Sequence, residues 1–93
     1  MNITIYRLRP VRQNQWDIDS EAEVARVSGS MADLQIQCSD PILHRLVRRV
    51  FSEPALRKVG QDGLESCPPG SQQARDAYRE ELFALGLGLQ GDL

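Results

Sequence analysis

Three groups of residues in this sequence have types and spacing that can do chemistry. The first is a thiol and an imidazole, Cys38 and His44, the latter the single histidine in the chain. Nucleophilic catalysis needs a thiol beside a base that a third group orients, and a cysteine just ahead of a helix N-terminus can be acidified by it. Cys38 nevertheless alternates with Leu34 and Ile36 in "DLQIQC", the side of a strand that packing would fill with small hydrophobes. The reading is therefore a core thiol and a surface histidine. Cys38 is expected to be buried and Cys67 to lie in a loop, both reduced.

The second group is acidic. Asp17, Asp19, Glu21 and Glu23 recur at every second position of "DIDSEAE", which on a regular strand lines four carboxylates along one side. Oxygen ligands of this kind suit Ca²⁺ or Mg²⁺. The calcium-loop pattern fails, because Ala22 stands at the sixth position and Ser28 at the twelfth, where Gly and Glu belong. The expectation is a solvated strand face opposite Arg7 and Arg9 on the first strand, and no metal.

The third group is basic. "ILHRLVRRVFS" carries His44, Arg45, Arg48 and Arg49 in one short run, and the planar guanidinium fork suits phosphate. Binders of single-stranded nucleic acid usually add stacking rings, and Tyr6, Trp16 and Tyr78 are not interleaved with this cluster. No phosphate-cradling glycine motif is present. "PPGSQQ" leads into a helix start that could meet an anion, but its own cap or water is the expected partner. A different chemistry is suggested by Phe83, which falls opposite the inner face of the last helix and, with Leu87 and Leu89 in the tail, is a candidate protein contact.

These side chains need elements to hold them. "NITIYRLR" is rich in β-branched and aromatic residues and is bounded by Pro10. A second strand spans "WDIDSEAEVARV", and "DLQIQCS" alternates apolar and polar positions as a half-wet strand does. "VSGSM" between them reads as a hairpin loop. The period then changes. Asp40 can cap a helix and Pro41 suits its first position. Ile42, Leu43, Leu46, Val47, Val50 and Phe51 cover about half of the helical cylinder, with His44, Arg45, Arg48, Arg49 and Ser52 opposite. Glu53 before Pro54 closes that helix. Proline and glycine punctuate residues 53–70, which read mostly as loop with a short helical turn at 54–59 or a small strand at "GLESC" as alternatives. Ser71 can cap a second helix whose inner face is Ala74, Ala77, Tyr78, Leu82 and Leu85, with Gly86 closing it. The tail 86–93 is expected to fray or to add one short edge strand.

The fold class expected is thus α+β, a small two-layer domain. A three-stranded antiparallel meander at about 2–9, 16–27 and 33–38 is covered by helices at about 41–52 and 72–85, all in one domain over 1–93.

Composition sets the outer limits. A chain of 93 residues with 41% apolar and 26% charged content has room for one core and is neither disordered nor membrane-like in make-up. It holds no apolar run of about 18 residues and no secretory pattern at "MNITIYRLRP", which points to the cytoplasm. Ten of its eleven basic residues are Arg, as a GC-rich bacterial genome would produce. Neither half carries the strong positive excess of a nucleic-acid binder. The functional expectation is a non-catalytic protein-interaction or self-associating domain with no cofactor and no membrane partner. Nucleic-acid or phosphate binding through the arginine face of the first helix is the alternative.

Overall fold

A computed structural model describes residues 1–30, 32–68 and 70–92. The chain is α+β, with six strands in two antiparallel sheets and two helices among the described residues. The strands are β1 (Asn2–Arg12), β2 (Gln15–Ser30) and β3 (Asp33–Gln37), followed by helix α1 (Pro41–Ser52). Then come β4 (Leu56–Val59), β5 (Gly63–Ser66), helix α2 (Gln72–Ala84) and β6 (Leu87–Asp92). The larger sheet has the order β3-β2-β1-β6, and β4 pairs only with β5.

The expected meander is therefore present with more strand around it. The tail does not fray: β6 pairs antiparallel with β1 along its whole length, from Leu87 opposite Arg7 to Asp92 opposite Asn2. Segment 53–70, read mostly as loop, contains the β4–β5 hairpin, and β5 is the small strand that "GLESC" offered as an alternative. Both strands of the first hairpin run closer to its turn than their sequence suggested, and Arg12 pairs with Gln15 across Gln13 and Asn14. Asn14 takes the left-handed conformation there, with φ of 61°, which Asn tolerates better than most residues.

One face of the larger sheet carries the core. Ile3 and Ile5 of β1, Ala25 and Val27 of β2, and Leu87 and Leu89 of β6 are all buried on it. Helix α1 lies beside β3 and α2 beside β6, and they contribute Val47, Val50 and Phe51, and Ala74, Tyr78 and Leu82 respectively. The Phe51 and Tyr78 rings meet where the helices touch, with centroids 5.0 Å apart and planes inclined at 37°, within the range favoured by aromatic pairs. Asp40 caps α1, its Oδ1 accepting from the backbone N–H of Ile42 and of Leu43. Ser71 Oγ caps α2 by accepting from Ala74 N–H.

Three register shifts interrupt the first hairpin, and one of them leaves Val24 as an extra residue on β2 between Ile5–Ala25 and Tyr6–Glu23. Between the pairs Pro10–Trp16 and Arg12–Gln15, β1 holds one extra residue, Val11. Between Leu8–Ile18 and Tyr6–Glu23, β2 holds four residues, Asp19 to Ala22, against the single Arg7 on β1. Such bulges bend a strand and raise its twist. The long one carries β2 across β1, so that Ile18 and Leu8 close over Gly88 of β6. A Cβ on Gly88 would lie 2.7 Å from Ile18 Cγ1 and 2.9 Å from Leu8 Cδ2.

Candidate docking groove

The site is built at the end of the sheet where the first hairpin turns. Helix α2 delivers one side of it. Its last turn closes with Leu85 N–H donating to Leu82 O and Gly86 N–H to Phe83 O, each at 2.9 Å. Gly86 supplies the positive φ, 76°, that this kind of helix end requires. Its carbonyl then accepts from Leu8 N–H at 3.0 Å, which pins the C-terminus of α2 to β1. Leu82 is fully buried, and Phe83, about 100° further round the helix, is left on the outside above the hairpin end.

The hairpin delivers the other side. The Val11 bulge and the adjoining Trp16 bring two more apolar side chains to the surface beside Phe83. Val11 is 47% exposed, Trp16 54% and Phe83 54%. Together with Asn14, Gln15 and Asp17 they line an open groove of about 430 Å³. That volume lies toward the small end of ligand sites, roughly 300–1,000 Å³, but the groove is shallow and unenclosed. Its lining is mixed, with three apolar residues, two amides, one carboxylate and no cation among its described lining residues. Asp17 Oδ1 accepts from Ile18 N–H at 2.8 Å. Arg9 stands opposite Asp17 in the strand register without forming an ion pair with it among the described residues.

Of the residues anticipated as a protein contact, Phe83 is brought to this groove. Leu87 and Leu89 are not: both are buried core residues of β6, because pairing with β1 turns their side chains under the helices. Trp16 and Val11 were missed. The signal available was an aromatic next to the polar turn "QNQ", on the wet end of a strand.

The arginine run stands apart from the groove. Arg45, Arg48 and Arg49 are exposed on α1 and take part in no ion pair among the described residues. His44 is half-buried rather than on the open face. At 100° per residue it falls only about 20° from Phe51, at the margin of the buried arc. Ile42, assigned to the apolar face, is 74% exposed, since it sits at that arc's opposite margin. Ile42, Arg45 and Arg49 follow the spacing i, i+3, i+7 and so form one stripe on the wet side.

The remaining candidates do not assemble. The long β2 bulge breaks the alternation of the acidic run, so its carboxylates do not share one face. Asp19 Oδ1 accepts from Glu21 N–H at 3.1 Å. Glu23 pairs with Arg26 of its own strand, whose guanidinium hydrogen-bonds it and holds its carboxyl below the usual range. Among the described residues no group of three or more His, Cys, Asp or Glu side chains converges as a metal site would. Cys67 lies in the loop after β5 as expected and is buried there, while Cys38, expected to be buried, is half-buried. Cys38 Sγ points at Asp40 O, 3.5 Å away. No helix among the described residues is long and apolar enough to cross a membrane.

The chain matches no protein-family model, no curated protein and no solved structure.

Proposed function

We propose that this protein is a non-catalytic interaction domain that docks a partner protein through the groove of Val11, Trp16 and Phe83. The observation that carries this reading is the convergence of three half-exposed apolar side chains from two separate elements on one concave patch that polar residues also line. Exposed apolar patches rimmed by polar groups mark interaction sites. Tryptophan is also among the residues most often found at the energetic centre of interfaces. An open groove of this kind fits an inserted side chain better than an enclosed small molecule.

Phosphate or nucleic-acid binding by Arg45, Arg48 and Arg49 is the weaker reading. Their lack of ion-pair partners among the described residues favours it. The stacking rings that would accompany the cluster lie on other elements, with Trp16 in the groove and Tyr78 in the core.

The test uses Trp16, the single tryptophan in the chain, as a built-in reporter. Peptides selected from a random display library against the whole chain are titrated while Trp16 emission is followed. The expected outcome is enrichment of peptides with a large apolar anchor, a blue shift of Trp16 on binding, and at least a tenfold loss of affinity in Phe83→Asp. Selected peptides that leave Trp16 emission unchanged and bind Phe83→Asp as well as wild type would overturn the reading.

A further inference from the structure

We infer that the groove accepts the α1 stripe of a second copy of this chain, giving a head-to-tail contact between copies. This inference rests on the docking reading of the groove and names its occupant.

Two of the surfaces left exposed among the described residues are complementary. The groove offers the apolar side chains of Val11, Trp16 and Phe83 beside the Asp17 carboxylate, with no cation among its described lining residues. Glu80 stands one helical turn before Phe83 on α2, the separation at which surface side chains are neighbours, and forms no ion pair among the described residues. Arg79, Phe83's other neighbour on that side, is already engaged with Asp76 at 3.8 Å. Arg9 stands opposite Asp17 in the strand register without an ion pair to it, so the Asp17 and Glu80 carboxylates beside the apolar hollow have no ion-pair partner among the described residues.

The α1 stripe presents the converse. Ile42 is the most exposed large apolar side chain among the described residues, at 74%. It is followed on the same line by Arg45 and Arg49, which have no ion-pair partner among the described residues. The two arginines stand at i and i+4, a like-charge spacing that destabilises a helix. No described residue of the same chain relieves it. An aliphatic anchor followed by two guanidinium forks suits an apolar hollow beside carboxylates, and Arg is the base best shaped for bidentate carboxylate pairing.

The fold keeps these surfaces from meeting within one molecule. Helix α1 packs beside β3 at one edge of the larger sheet, while the groove forms at the α2 end and first hairpin, and α2 packs beside β6 at the other edge. A contact between two different patches is heterologous, so it propagates into rings or open chains rather than closing as a symmetric pair.

That asymmetry supplies the test. Phe83→Asp removes the groove and leaves the stripe; Ile42→Asp combined with Arg49→Glu removes the stripe and leaves the groove. Sedimentation velocity of the whole chain is run on wild type, on each variant, and on their equimolar mixture, at low salt and rising concentration. Wild type is expected to grow in weight-average mass with concentration, and each variant alone to hold at the 10.5 kDa chain mass. The mixture, which retains one intact groove and one intact stripe, is expected to sediment as a species of twice that mass and no larger. Val11→Asp serves as a second groove variant if thermal unfolding shows Phe83→Asp to be misfolded. A mixture that stays monomeric while wild type associates would overturn the head-to-tail contact. Wild type that stays monomeric throughout would overturn it too. In that case a display-selected peptide that still binds through Phe83 assigns the groove to a different protein.

Discussion

Tyr78 shows how one side chain serves both the core and its polar bookkeeping. Its ring packs on Phe51, and its hydroxyl donates to Glu53 O at 3.2 Å just beyond the end of α1. Burial pushes its phenol above the ordinary value of 10.0, while a backbone hydrogen bond at Ala55 pulls the other way. Because the folded state favours the neutral phenol, this contribution to stability is whole below about pH 10 and is lost as pH rises through the raised folded value. Urea unfolding of wild type should therefore show a midpoint that falls above pH 10 more steeply than in Tyr78→Phe. At pH 7 the variant should lose about 0.5–1.5 kcal/mol for the missing hydrogen bond. Identical alkaline slopes in the two proteins would show that Tyr78 ionisation is not coupled to folding. Tyr78 was legible in the sequence because Ala74, Tyr78 and Leu82 recur at four-residue intervals on one side of a helix. Ile42 and His44 were misassigned for a related reason. Periodicity locates the centre of a buried arc well, but its margins depend on how a neighbouring element tilts. Cys38 and Cys67 carry no periodic signal strong enough to rank their burial.

At the scale of elements, legibility follows the range of the interactions that make each one. Helix α1 is specified within a dozen residues by Asp40, Pro41 and a strict apolar spacing, and its observed span, Pro41–Ser52, agrees with the one its sequence predicts. β6 is different. "GLGLQGD" has too many glycines to favour a strand by propensity, and what orders it is β1, some eighty positions earlier. Leu89 opposite Ile5 and Gly88 beneath Leu8 and Ile18 are tertiary facts that no local window contains. The β4–β5 hairpin was obscured by Gly60 and Gly63 at its turn and by the prolines that flank it. A tail that merely frayed would tolerate truncation of its side chains. Since Leu89 is instead buried against β1, Leu89→Ala should cost about 2–5 kcal/mol, a large share of the stability of a domain this small. Thermal unfolding followed by circular dichroism checks this, and a midpoint unchanged from wild type would show that β6 contributes nothing to the core.

Over the whole molecule, stability is unevenly distributed. Phe83 was legible as a candidate contact because it interrupts the amphipathic pattern of α2. Its groove partners were not, because Val11 and Trp16 reach it through a bulge and a pinned helix end that depend on register rather than composition. The larger sheet around Ile3, Ile5, Val27 and Leu87 is closed by both helices. The β4–β5 sheet is not. All four residues of β4 are exposed, and Leu64 on β5 is exposed as well. Its base is held by buried Ala55 and Cys67, with Cys67 N–H donating to Ala55 O at 2.8 Å. A two-stranded hairpin with little apolar burial is marginal in water, so it should open without disturbing the rest. Native-state hydrogen exchange should accordingly find the paired amides of residues 56–66 opening at a free energy well below global unfolding. The amides that join β1 to β2 and β6 should exchange only through the global event. Leu64→Asp should leave the protection of β1 and β6 unchanged. If the hairpin amides instead exchange with the global free energy in the monomer, the second sheet is part of the cooperative core, and its exposed leucines must be stabilised by contacts beyond those at its base.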